Sequence, residues 1–191
     1  MGNKKPKIEW SEEDKKRGMR NRKILLGIFV ALIILPITIS VFGGDSKPKL
    51  SANATPLEVL DSNIKSEAGD SSNLQGYENR IQVLTLDSGM IYLEMNGDDN
   101  LTEGTIKSSN RRLVLDAIRA IQNSKVAFDT AVIAVRFPLV DNLGNTTMDL
   151  VLKYGFSAGR LNQINTANID THNMDVDFAD ISTIIHPSFQ W

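Results

Sequence analysis

From Ile24 to Phe42 the chain runs for 19 residues without a charged side chain, and only Thr38 and Ser40 in that run are polar. As a helix, such a run rises about 28 Å, close to the roughly 30 Å hydrocarbon core of a bilayer. A helix packed on a soluble core carries a polar stripe at helical spacing, and this run has none. Pro36 falls near the outer end, where neighbouring groups in a membrane helix can satisfy the carbonyl it frees. A cleaved export signal has a shorter apolar stretch and small residues before the cut, whereas a cut after Gly44 would leave Phe42 three residues back. The sequence therefore predicts a single transmembrane helix over 24–42, retained as a signal-anchor.

Charge orients that helix. Residues 1–23 hold nine Lys/Arg against four Asp/Glu, a net +5, while the whole chain carries -2, so the remainder carries -7. The positive-inside bias makes 1–23 a basic cytoplasmic head, 24–42 the span, 43–54 a polar linker and 55–191 an extracytoplasmic domain at the plasma membrane. The membrane is thus the first expected partner, with the head's cations near anionic headgroups. Pro6 stands where a myristoylation signal takes Ser or Thr. Nucleic acid is not expected as a partner. Phosphate neutralisation needs clustered cations, and Arg111, Arg112 and Arg119 are few and read as lying partly on a solvated helix face. The chain has no Cys, which removes disulfides, thiol catalysis and cysteine zinc sites.

Within 55–191 the patterning predicts an α+β domain of order α-β-β-α-β-β-α with an antiparallel sheet. Thr55, Pro56 and Glu58 supply helix-start chemistry ahead of Leu57, Leu60 and Ile64. Ser88-Gly89 joins two alternating runs as a hairpin, with Ile81, Val83, Ile91, Leu93 and Met95 sharing one face. A helix over 105–124 follows, its stripe formed by Val114, Ala117, Ile118 and Ile121. A second hairpin has Ile133, Val135 and Phe137 on one strand, and Met148, Leu150, Leu152, Tyr154 and Phe156 on the other. Pro138 marks an edge or bulge. Ser157 caps a short helix reaching Ile164, and the tail reads as irregular with a short helix near 178–184.

Candidate sites are sparse. Asp98, Asp99 and Asn100 share one loop, and Asp141, Asn142 and Asn145 another. They lack the ligand ladder and closing Glu of a calcium loop, so they read as turn chemistry. His172 lies among Asp170, Asp175, Asp177 and Asp180 at no ligand spacing, and His186 precedes a proline. Gly-rich phosphate loops, Gly-x-Ser-x-Gly and His-Glu-x-x-His are missing from the sequence. The three Asn-x-Thr triplets, at Asn53, Asn100 and Asn145, are about what composition gives by chance. No metal, cofactor or catalytic residue is therefore expected. Phe189 and Trp191 remain as partner-contact candidates, although aromatics near a terminus also pack back as core.

The "DNLT" loop before a helix, the "FPLVD…GN" hairpin, the "INTANID" segment and the terminal "HPSF" resemble a family of small Gram-positive surface proteins over Ile91 to Phe189. Those proteins are membrane- or lipid-anchored. The resemblance implies a bacterial cell-surface setting and assigns no catalytic residue. Where relatives use a lipidated Cys, this chain has none. The function expected is that of a single-pass membrane protein presenting a non-enzymatic binding module to a protein or cell-wall partner. The alternatives are a scaffold subunit of a secretion or conjugation machine, and a cell-wall hydrolase.

Overall fold

The computed structural model describes residues 53–175 and 177–191. The basic head, the apolar run 24–42 and most of the linker lie outside them. Among the described residues no helix is long and apolar enough to cross a membrane. The transmembrane and signal-anchor readings are corrected accordingly: the structure gives them no support.

The first helix, α1 (Pro56–Ala68), starts as its sequence dictates. The Thr55 side chain accepts from Glu58 N, and Glu58 Oε2 accepts from Thr55 N at 2.7 Å, closing a capping box. Strands β1 (Ile81–Asp87) and β2 (Met90–Asn96) form the first hairpin. Its turn needs positive φ at both Ser88 (47°) and Gly89 (77°), which is why glycine sits there. Helix α2 (Glu103–Ser124) begins at a Thr102 cap and ends where Lys125 turns left-handed. It leads to β3 (Thr130–Val140), β4 (Thr146–Ser157), the short α3 (Ala158–Gln163) and β5 (Ser182–Ile185).

The sheet runs β1-β2-β3-β4-β5, and its second pair is parallel. The expected antiparallel sheet is thus corrected to a mixed one. Strand β3 does not return beside β2 by a tight turn; α2 carries the chain back over the sheet, the connection a parallel pair requires. Strand β5 is a second correction, because it occupies the last three residues of the 178–184 stretch expected to be helical. Ile184 and Ile185 are β-branched, and they pair with Lys153 and Leu152 of β4.

Two bulges revise which residues share a face. Ile81 pairs with Met95 but Val83 with Glu94, so Gln82 is extra; Leu84 and Leu86 then face the core and Val83 is exposed. Val135 pairs with Leu152 but Arg136 with Leu150, so Val151 is extra. Leu152, Tyr154 and Phe156 enter the core, while Leu150 moves to the opposite face with Arg136. Pro138 lies beyond the end of β2, where β3 has a neighbour on one side only.

The core lies between one sheet face and the helices. Leu60 and Ile64 of α1 meet Val114, Ile118 and Ile121 of α2 above Ile91, Leu93, Ile133 and Val135. The other sheet face has no helix over it among the described residues. There Glu94 accepts from Tyr92 Oη (2.8 Å) and pairs with Arg136 Nε (2.9 Å).

Candidate functional site

Helix α2 is buried around more than its expected stripe, and one of its buried residues is Arg111, 1% exposed. Its Nη2 donates to Phe189 O at 2.9 Å. Neither Nε nor Nη1 makes a hydrogen bond of good geometry among the described residues, although the side chain lies near enough to the Tyr154 hydroxyl to lower its phenol by hydrogen bonding. Burying a guanidinium without full pairing is costly, so such a group marks a place where something else is expected to arrive.

The C-terminal segment folds over this cation. Pro187–Phe189 forms a 3-10 turn capped by the His186 ring, whose Nδ1 accepts from Ser188 N at 3.2 Å. Phe189 is 3% exposed and meets Phe137 edge-on at 5.6 Å. Lys107, one turn before Arg111, donates to Gln190 O at 2.8 Å and also pairs with Glu103. Trp191, half-exposed, then lies with its ring 5.0 Å from Arg111 Cζ and 5.9 Å from Lys107 Nζ. The His172 ring stacks on it at 4.0 Å, held in turn by Asp170 at 3.0 Å.

Between Arg111, Asp175, β5 and Trp191 lies a cavity of about 600 Å³. Thr183, Ile185 and Gln190 also line it. The Tyr154 hydroxyl donates to Met174 O beside it. Burial pushes the Tyr154 phenol up, the neighbouring Arg111 cation partly opposes the rise, and Asp175 adds to it. The arrangement is a half-sheltered pocket with one buried cation, one carboxylate and an aromatic wall.

The other sequence candidates have structural work. Asp98 takes both oxygens to Arg80 Nη2 (2.9 and 2.8 Å) and gives its backbone to Asn110. Asp99 Oδ1 accepts from Asn100 N, and Asn100 Nδ2 donates to Ser109. Asp141 accepts from the side chain and backbone of Asn145 and from Leu143 N, which hold its carboxyl below the usual carboxylate range. Asp180 is held low by Ser157 at the start of α3. His172 and His186 stand apart in the tail, the first stacked on Trp191, the second capping a turn. A larger hollow of about 810 Å³ at the end of α2 mixes amide side chains with apolar ones such as Ile121, Val126 and Phe128. Its Gln122 is already committed to Leu161 O and Ile164 O.

Of the two predicted contact residues, the structure places Phe189 in the core and Trp191 at the pocket rim. It brings His172 to Trp191, which their separation in sequence did not suggest. Arg111 was misplaced on a solvated face. The signal was present: Arg111 precedes Val114 and Ile118 by three and seven residues, on the apolar stripe itself. No known family, curated protein or solved structure matches the chain.

Proposed function

We propose that residues 55–191 form a non-enzymatic binding module that takes a protein or cell-wall partner on the surface around Trp191. The observation that supports it is a half-exposed tryptophan whose ring is stacked by His172 and approached by the Arg111 and Lys107 cations. Large aromatics fixed before contact lose little freedom on binding, and tryptophans are favoured as interface anchors. The pairing of the two histidines with turn and stacking roles also favours binding over hydrolysis. A setting outside the cell at the plasma membrane rests on sequence, through the contrast between the basic first 23 residues and the acidic remainder.

The test is capture of isolated cell-wall material and of cell-surface proteins by the full chain, with Trp191→Ala beside it. The variant is expected to melt like the parent and to lose capture about tenfold or more. Equal capture by parent and variant, or none by either, overturns the proposal.

A further inference from the structure

We infer that the Arg111 cavity is a carboxylate-binding subsite that receives a singly charged acidic group, such as the terminal carboxylate of a peptide. This rests on the binding-module reading and names the chemistry it recognises. Arg111 is fixed by α2 and by its bond to Phe189 O and lines a cavity of about 600 Å³, and its buried Nε and Nη1 lack hydrogen-bond partners among the described residues. A guanidinium matches a carboxylate in shape as well as charge, and its N–H groups gain most where water is excluded. Asp175 lines the same cavity without bonding to those nitrogens. It sets the charge of the guest. A single negative charge balances Arg111, whereas a phosphate dianion would stand against the Asp175 carboxylate. Lys107 is already engaged by Glu103 and Gln190, so it does not add a second site of positive charge. Ile185 and Trp191 give an apolar shoulder for whatever carries the carboxylate.

The chain has two tryptophans, so a Trp10→Phe background leaves Trp191 as the only indole reporter. Its ring lies against Arg111, so an arriving anion changes its emission. The full chain in this background is titrated at constant ionic strength with acetyl-alanyl-alanine, its C-terminal amide, acetate and inorganic phosphate. Saturable change with the peptide acid and none with the amide is expected, with acetate weaker and phosphate without effect. Arg111→Met should abolish the response and Arg111→Lys weaken it about tenfold to hundredfold, both still melting cooperatively and Arg111→Met no lower than the parent.

A response to acetate but not to the peptide acid would keep the carboxylate subsite and assign it to small free acids. Equal response to acid and amide, response to phosphate alone, or no response to any probe would overturn the inference and leave Arg111 as a hydrated structural cation. If Trp191→Ala loses partner capture while the acids never bind, the module stands and the subsite falls. If the acids bind but capture is unaffected by Trp191→Ala, the subsite stands and the proposed partner surface falls.

Discussion

Arg111 and Phe189 hold opposite ends of one contact, and they differ in what their loss should do. Phe189 fills space against Phe137, so Phe189→Ala should cost about 3–5 kcal/mol, read as a lower denaturant midpoint at unchanged slope. Arg111 is different. Its cation is buried with two nitrogens unbonded, so Arg111→Met, which keeps most of the stem volume, should leave stability unchanged or raise it by up to about 4 kcal/mol. A drop of several kcal/mol would mean that the cation is fully compensated in the native state. Carboxylates give a further residue-level expectation. Asp180 is held low chiefly by Ser157, and Asp141 chiefly by Asn145. Groups with depressed folded values stabilise at neutral pH and lose that contribution as pH falls from about 4 downward, because the unfolded chain takes up protons first. The melting temperature should therefore fall on acidification, and Asp180→Asn should flatten that fall. An unchanged slope in the variant would refute the assignment. Asp116 works in the opposite sense, since burial pushes its carboxyl up against the pull of Arg119.

Secondary structure carries its own signals, and some of these were legible in the sequence while others were not. Caps were readable because they are local: Thr55 with Glu58, and Thr102 before α2, announce helix starts within four residues. Thr102→Ala should cost about 1 kcal/mol, measurable by chemical denaturation, although its partner Thr105 also bonds Thr102 O. The Ser88-Gly89 turn was readable for the same reason. Bulges were not. Gln82 and Val151 break a period of two at single positions, and the break reflects pairing with another strand rather than any feature of the run itself. Deleting Val151 should leave Leu152 opposite Val135 and Leu150 opposite Arg136 in an unbulged ladder while removing a fully buried side chain, so the variant should melt cooperatively but at a lower temperature than the parent. Strand β5 escaped notice because four residues carry too little pattern, and its identity depends on Lys153 and Leu152 lying beside it. The parallel pairing of β2 with β3 escaped because two hairpins in sequence do not say how a helix between them returns the chain. Much of the candidate site was hidden for a related reason. Arg111 sits in an apolar stripe, but only the tail arriving from about 80 residues away makes that position a pocket wall.

The molecule as a whole places its most protected strand at the centre. Strand β3 has neighbours on both sides, α2 lies above it, and β1 and β5 form the edges. Amides of Ile133 and Val135 should exchange with deuterium at the slowest rates, and those of β1 and β5 faster. Comparable protection in β5 and β3 would show that the tail is locked as firmly as the centre. Residues 47–191 form a compact unit, and a fragment beginning at Lys47 should unfold cooperatively in a single transition. The closure by β5 and Phe189 also governs the order of events during synthesis. Residues 182–189 leave the ribosome after the helix and strands they cover, so a nascent chain lacking them exposes Phe137 and the Arg111 cation to its surroundings. Completion of this domain must therefore follow its translation, and a stalled chain missing that stretch would be an early target for chaperones and proteases.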